Sequence, residues 1–289
     1  MHRSWRISEK EYLYLKELLD SGFPDNSKVN FISRLEEAFA EKFESKYAIA
    51  HINGTATLHS ALAAAGVQPG DEVIVPPLTM ASTSFAVLQQ NAKPVFADVN
   101  PETFTIDSES IRKNITSKTR AIIPVAIYGL SADMDPIMET AKENNLVVIE
   151  DDAQCFLGRY HGRIVGTLGH IASFSFQKSK HITSGDGGMI ITSNPDYAEK
   201  VRRFSCLGYA ALSRKIGTIP DKKILHSHHY KRHTGMGYNY RMPELCAAVA
   251  LAQLEKLDEF LHWRKKCADS YDEVVRTCTW LKPCLLYTS

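Results

Sequence analysis

The chain has 289 residues, a formal net charge of +1, 44% hydrophobic residues and 23% charged residues. This is the composition of an ordinary globular protein, and it excludes a disordered or collagen-like chain. The near-neutral charge gives no electrostatic reason to expect nucleic acid or an acidic membrane as a partner. We find no apolar run long enough to span a membrane, no signal peptide and no CxxC pair among the six cysteines. We therefore expect a cytoplasmic protein with free thiols.

Short apolar segments alternate with amphipathic ones along most of the chain. Apolar residues recur at helical spacing between residues 29 and 43. Further on, the pattern predicts helices at 55–66 and 82–91, and strands at 47–52, 72–76, 94–99, 120–128, 146–151, 174–177 and 187–192. This alternation predicts an α/β fold with a mostly parallel central sheet and helices on both faces. In such sheets ligands bind beyond the carboxyl ends of the strands.

The pattern changes at Met242. The segment 242–276 predicts one long helix or two in sequence, with Pro243 in the first turn. The last residues, 277–289, are too few to form another packed unit. A natural end, a truncation and a foreign junction are all compatible with this segment.

Three segments that follow predicted strands carry residues with chemical potential. In His-Ile-Asn-Gly-Thr-Ala-Thr (51–57), a strand runs into a helix start, where backbone N–H groups and Thr hydroxyls can bind phosphate. An ordinary turn capped by Thr55 is the alternative. Acidic residues end the strand in segment 148–154, where a carboxylate can pair with a cationic ring nitrogen or a metal. A solvated loop carboxylate or another helix N-cap is the alternative. In segment 173–188, Lys178 and Lys180 precede a Gly-Asp-Gly-Gly turn and are either surface lysines or a nucleophile for an aldehyde.

The order of these three segments resembles that of pyridoxal phosphate enzymes with the aspartate-aminotransferase fold (fold type I). More narrowly, the chain resembles the DegT/DnrJ/EryC1/StrS family of sugar aminotransferases. The matching motifs, spread between about residues 7 and 261, are Asn-Gly-Thr-Ala-Thr-Leu-His (53–59), Pro-Gly-Asp-Glu-Val-Ile-Val-Pro (69–76), Pro-Val-Phe-Ala-Asp-Val (94–99), Glu-Asp-Asp-Ala-Gln (150–154), the lysine segment and Gly-Tyr-Asn-Tyr-Arg-Met (237–242).

The resemblance implies a role for each matching residue. Lys180 would form the Schiff base with pyridoxal 5'-phosphate and move the proton between substrate and cofactor. Asp151 would face the pyridine nitrogen and keep it protonated. The remaining implied cofactor contacts are Gln154 near the ring 3-oxygen, Gly54, Thr55, Ala56 and Ser175 at the phosphate, Met80 at the ring face, and Asn239 and Arg241 reaching the neighbouring subunit's site. The implied assembly is a homodimer with shared active sites.

Two features depart from the family pattern. Met80 stands where many members have an aromatic ring, although a thioether can also pack on a ring face. Family members also continue for roughly another hundred residues, a general range for a second lobe. We therefore predict a large cofactor-binding domain at 1–241 and the start of a small, apparently incomplete and truncated domain at 242–289.

The implied activity is transfer of an amino group from an amino acid, by family habit glutamate or glutamine, to a keto sugar or keto-cyclitol. A nucleotide-linked sugar is the expected acceptor, in amino-sugar, surface-polysaccharide or natural-product biosynthesis. Two alternatives stay open: a sugar dehydratase using the same cofactor, and a non-catalytic remnant or regulatory module. In dehydratase relatives a histidine replaces the lysine, so Lys180 favours amino transfer. We expect no metal site, although histidines cluster at residues 226–233.

Overall fold

The computed structural model describes residues 6–23, 29–210, 227–229 and 231–281. Nine strands lie in this part of the chain: β1 (Tyr47–His51), β2 (Glu72–Val75), β3 (Lys93–Phe96), β4 (Thr119–Ile122), β5 (Val147–Asp151), β6 (Arg159–Tyr160), β7 (Arg163–Ile164), β8 (Ile171–Ser175) and β9 (Gly188–Thr192). Strands β6 and β7 form a separate hairpin. The other seven form one sheet in the order β1-β9-β8-β5-β4-β2-β3.

The sheet is mostly parallel, as predicted. Strand β9 runs antiparallel to β1 and β8, whereas neighbouring strands from β8 to β3 run parallel. The predicted strand at 120–128 ends at Ile122, because Pro124 has no N–H group for the ladder. The predicted strand at 94–99 is also shorter and ends at Phe96.

Nine helices of the described chain cover the sheet: α1 (Glu9–Ser21), α2 (Phe31–Lys42), α3 (Gly54–Ala64), α4 (Ser82–Gln89), α5 (Ser108–Asn114), α6 (Met134–Glu143), α7 (Pro195–Ser205), α8 (Glu244–Leu254) and α9 (Leu257–Arg276). The predicted helical segment after Met242 is therefore two helices, and Pro243 is the N-cap of the first. No helix in these described ranges is long and apolar enough to cross a membrane.

Apolar side chains fill both faces of the sheet. Strands β5, β8 and β9 are almost wholly buried, as expected when helices cover both faces of a sheet. On one face, aromatic and aliphatic residues of α1, α2, α8 and β8 form a single cluster that includes Phe31, Phe39, Phe174 and Leu251. On the other, residues of α3, α4 and α7 pack against β1, β2 and β5. The five described cysteines are free.

The topology places two chemically important strand ends side by side. Strands β5 and β8 are parallel neighbours, with Asp151 opposite Ser173 in the register. Their carboxyl ends therefore reach the same edge of the sheet, next to the start of α3. This is the edge where ligands bind in open α/β sheets.

Candidate active site

Asp151 is the carboxylate that faces the open edge of the sheet. It ends β5 and is only 5% exposed. Its Oδ2 accepts a hydrogen bond from Thr83 Oγ1 at 2.9 Å, and its Oδ1 accepts one from the Ala153 N–H at 3.3 Å. Because side chains alternate along a strand, Glu150 points elsewhere. These two donors fix the orientation of the Asp151 carboxylate.

The neighbouring carboxylates have structural partners or lie away from the edge. Glu150 accepts hydrogen bonds from the amides of Gly166, Leu168 and Gly169. Burial, with the charges of Glu150 and Asp151, raises the pKa of Asp152 well above its usual range. Asp152 lines neither of the cavities described below. Asp151 is the acid available for chemistry in this segment.

Lys180 lies in the lysine turn, residues 177–187, which connects β8 to β9. The Lys180 N–H donates to the Gln177 carbonyl at 2.9 Å, and the Ser184 N–H donates to the Phe176 carbonyl at 3.1 Å. The Lys180 side chain is half-buried and lines the cavity described below, whereas Lys178 is exposed and lines none of the cavities described here. The structure thus separates the two lysines that the sequence left as candidates.

The start of α3 closes the opposite side of the site. Asn53 is the N-cap, and its Oδ1 accepts from the Ala56 N–H at 2.8 Å. The alternative expectation of a cap at Thr55 is therefore wrong, because Thr55 is already inside the first helical turn. Gly54 packs so closely on β8 that an added Cβ would lie 2.8 Å from the Ser175 Cβ.

These elements enclose a cavity of about 410 Å³, which we call the main cavity. Six of the predicted cofactor contacts line it: Gly54, Thr55, Met80, Asp151, Ser175 and Lys180. The other lining residues are Asn53, Leu58, Ser82, Ala153, Gln177, Ser179 and Asp186. A second cavity, of about 460 Å³, shares three of these residues and is lined by Tyr128, Ala153, Gln154, Ser179, Lys180, His181 and Arg264. Lys180 lies between the two.

Burial shifts the two key ionisable groups toward their neutral forms. It raises the pKa of Asp151, while the hydrogen bonds from Thr83 and Ala153 and the charge of Lys180 act in the opposite direction. It lowers the pKa of Lys180, and the charge of Asp151 opposes this effect. A lysine with a lowered pKa presents more neutral amine, which is the nucleophilic form.

The Gln154 side chain is held at the second cavity by a hydrogen bond from the backbone of Tyr128. Its Oε1 accepts from the Tyr128 N–H at 3.0 Å. Tyr128 has a positive φ of 54°, a conformation that is uncommon for residues other than glycine. Strained backbone of this kind is concentrated at functional sites.

Three predicted contacts do not line either cavity. The Ala56 amide is engaged by Asn53, and the residue is buried. Asn239 Oδ1 accepts from Arg241 Nε at 3.1 Å, and Arg241 lies beside Met242 in a different hollow. Their implied contact with a neighbouring subunit stays a prediction.

Sequence reasoning missed Thr83, which shapes the site. Thr83 orients Asp151, but no pattern in segment 78–83 identifies it as a hydrogen-bond donor to a residue 68 positions away.

His181 lines the second cavity next to Lys180. Burial, together with the charges of Arg264, Lys180 and Arg6, lowers the pKa of His181 to about 3, so its ring is neutral at pH 7.

The predicted histidine cluster gives no metal site in the described residues. His226 lies outside them, and His228, His229 and His233 are exposed. Across the part of the chain that the structure describes, no group of three or more His, Cys, Asp or Glu side chains could hold a metal ion.

Comparison with protein families decides the relationship. A sequence model described as the DegT/DnrJ/EryC1/StrS aminotransferase family matches residues 6–285. The chain belongs to this family. Two relatives named GDP-perosamine synthase are 40% identical over 271 residues (Escherichia coli O157:H7) and 41% identical over 268 residues (Caulobacter vibrioides). The alignments cover 94% and 93% of this chain, and 70% and 68% of the relatives.

Solved structures that are similar to this chain have the same fold. An aminotransferase from Psychrobacter cryohalolentis superposes with a TM-score of 0.76 at 34% identity, over 88% of this chain and 63% of that one. NtdA from Bacillus subtilis, with bound PMP, gives 0.74 at 31%, over 86% and 53%. The dehydratase ColD gives 0.80 at 26%, over 91% and 69%. This chain thus spans less than two thirds of the first two structures.

Family membership confirms the predicted fold and the predicted cofactor. The matching model describes an aminotransferase family, and NtdA, one of the similar solved structures, carries PMP, a form of the predicted cofactor. The main cavity fits that cofactor: a helix start and Ser175 can receive a phosphate, and Lys180 can meet an aldehyde. Asp151 is a buried carboxylate facing the same space, so a cationic ring nitrogen would compensate its charge.

Proposed function

We propose that the chain moves an amino group from an amino acid, glutamate or glutamine, to a nucleotide-linked keto sugar. The observation that carries the proposal is the main cavity, which joins the Lys180 amine, the Asp151 carboxylate and the start of α3 in one space. The two relatives named GDP-perosamine synthase support a GDP-linked sugar as the acceptor. A keto-cyclitol is the second acceptor class.

Lys180 would act as nucleophile and proton carrier. When bound, pyridoxal phosphate supplies an aldehyde that exchanges amines and a ring that delocalises electrons. The lowered pKa of Lys180 favours the neutral amine needed for attack on the aldehyde carbon. Once the amino donor has displaced it, the Lys180 Nζ can take the proton from the donor α-carbon and carry it to the next reacting carbon.

Asp151 and the α3 start would hold the ends of the cofactor. The Asp151 carboxylate, oriented by Thr83 and Ala153, would stabilise a protonated ring nitrogen. Gly54, Thr55 and Ser175 would contact the phosphate, and Met80 and Gln154 would contact the ring and its 3-oxygen. The Ala56 amide already donates to Asn53, so we assign Ala56 a smaller part in phosphate binding.

A second copy of the chain would complete the site. Three large apolar side chains before α4, on α4 and at the end of β3 are exposed, with Met80 67%, Phe85 57% and Phe96 54% exposed, and Met80 also lines the main cavity. We propose that these exposed side chains, with Asn239 and Arg241, form a homodimer interface. In this dimer, Asn239 and Arg241 of each subunit would reach the main cavity of the other subunit. We also propose the division into a cofactor domain (1–241) and a second domain beginning at residue 242.

The half-reaction tests the donor side of the proposal. The purified chain is loaded with pyridoxal phosphate and mixed with glutamate, and 2-oxoglutarate is quantified. We expect up to one equivalent per site with the unaltered chain and with Lys178→Ala, but none with Lys180→Ala. Turnover with Lys180→Ala equal to that of Lys178→Ala would contradict the assignment.

The acceptor side is tested by adding GDP-4-keto-6-deoxymannose, a sugar of the class acted on by the dehydratase ColD. We expect continuous 2-oxoglutarate formation and a product with the mass of GDP-perosamine. Ammonia release and a deoxy sugar would instead indicate dehydration. No half-reaction with any amino acid would support the non-catalytic alternative.

A further inference from the structure

A side chain from the start of the chain reaches the lysine turn. The Arg6 guanidinium donates through Nη1 to the Lys178 carbonyl at 2.6 Å. Through Nη2 it donates to the Lys180 carbonyl at 2.6 Å and to the His181 carbonyl at 3.3 Å. Arg264 Nη2 also donates to the Lys180 carbonyl, at 3.3 Å. Hydrogen bonds from a charged donor are stronger than neutral ones, and a planar guanidinium holds several acceptors in a fixed geometry.

The backbone of Arg6 is itself anchored. Its carbonyl accepts from Gln253 Nε2 at 2.6 Å and from Lys256 Nζ at 3.2 Å, at the junction of α8 and α9. Both of these side chains also bond the buried carboxylate of Glu11, which in turn accepts from Ser8 in the capping box of α1. Arg6 therefore extends from a packed junction rather than from a free end.

The two sides of the lysine turn have different tasks. Its carbonyls at 178, 180 and 181 accept bonds from Arg6, whereas Lys180 also lines the main cavity, where its amine interacts with the charge of Asp151. Bringing Arg6 close to Arg264 is unfavourable, since burial and the Arg264 charge both lower the pKa of Arg6. The carbonyl contacts offset this repulsion.

We propose that Arg6 is a positioning residue for Lys180: by bonding three carbonyls of the lysine turn, it fixes the backbone from which the amine reaches the cofactor. The proposal rests on the proposed function in that Lys180 is the reacting amine. In the step that Arg6 serves, the Lys180 nitrogen bonds to the aldehyde carbon and the aldehyde oxygen leaves as water. A displacement of about 1 Å at a reacting group can cost roughly a hundredfold in rate.

The test compares Arg6→Ala and Arg6→Lys with Arg120→Ala. Arg120 is a matched control because its Nη1 also donates to two backbone carbonyls, those of Ser117 and Thr119, yet it lines neither cavity. Amide hydrogen exchange of residues 178–181 is measured without cofactor. The rate of covalent attachment of pyridoxal phosphate is followed by absorbance, with and without added guanidinium ion, against sodium chloride at equal ionic strength.

We expect faster exchange at residues 178–181 and roughly ten- to hundredfold slower attachment in Arg6→Ala. Guanidinium, but not sodium, should restore attachment in Arg6→Ala, Arg6→Lys should be intermediate, and Arg120→Ala should match the unaltered chain. Unchanged exchange and attachment in Arg6→Ala, or a loss that guanidinium does not reverse, would overturn the proposal. If the unaltered chain attaches no cofactor, the proposed function fails, while the exchange measurement still decides whether Arg6 holds the turn.

Discussion

Replacing Asp151 with Asn tests how the negative charge at the end of β5 affects amino transfer and, separately, covalent attachment of the cofactor. Asn has nearly the same shape and can keep an acceptor for one of the two donors, Thr83 Oγ1 or the Ala153 N–H. The fold should therefore be little affected, while the negative charge at the ring nitrogen is lost. Removing a preorganised electrostatic group costs about 3–4 kcal/mol of transition-state stabilisation. We expect amino transfer to slow by roughly 150- to 900-fold.

Covalent attachment of the cofactor should respond differently. The Asp151 charge raises the pKa of Lys180 against the effect of burial. Its removal should lower that pKa further, so that the neutral amine persists to lower pH and the pH profile of attachment moves toward acid. Attachment at neutral pH should thus be retained in Asp151→Asn although transfer is lost.

The assay measures single-turnover 2-oxoglutarate formation and attachment from the same preparations across pH. Asp152→Asn is the matched control, because Asp152 is a neighbouring buried carboxylate that lies outside both cavities. A transfer rate for Asp151→Asn within a few-fold of that control, or an attachment profile that moves toward higher pH, would refute the reasoning.

Three further predictions concern packing and charge. Gly54→Ala should weaken pyridoxal phosphate binding by roughly tenfold or more, measured by titration, because the added Cβ displaces the α3 start. Arg202→Met should lower the free energy of unfolding by about 3–5 kcal/mol, measured by urea denaturation, since it leaves the Glu36 carboxylate buried without its cationic partner. Hydrogen bonds hold the pKa of Glu11 near 2 despite burial, so its contribution to stability is present above about pH 4.5 and lost toward pH 2.

Each has its own control. Gly235→Ala adds a Cβ that meets nothing within 4 Å, so equal losses of binding in both glycine variants would reject the displacement argument. Combining Arg202→Met with Glu36→Gln should recover much of the lost stability, and a further loss would contradict the role of the unpaired charge. The stability difference between the unaltered chain and Glu11→Gln should vanish toward pH 2; a constant difference would rule out the linkage.

The two residues proposed to react could be selected from the sequence because each lies at or shortly after the end of a strand. A strand of Leu, Val and Ile ending in acids, and a later strand ending near two lysines, place Asp151 and Lys180 at one edge of a parallel sheet. The choice between Lys178 and Lys180 came from family resemblance, and burial in the main cavity supports it.

The supporting residues could not be predicted, since their contacts are distant in sequence. Arg6 reaches carbonyls 172 to 175 positions away, and backbone carbonyls leave no sequence pattern. Thr83 donates across 68 positions to Asp151. The N-cap at Asn53 was missed for a local reason, because Asn and Thr are both good caps and lie two positions apart.

The central claim is that the Lys180 amine bonds the cofactor. The chain is incubated with pyridoxal phosphate, reduced with borohydride, digested and analysed by fragment mass spectrometry. We predict a single pyridoxyl group, located on Lys180. A label on Lys178, or no label on the lysine turn at saturating cofactor, would contradict the account.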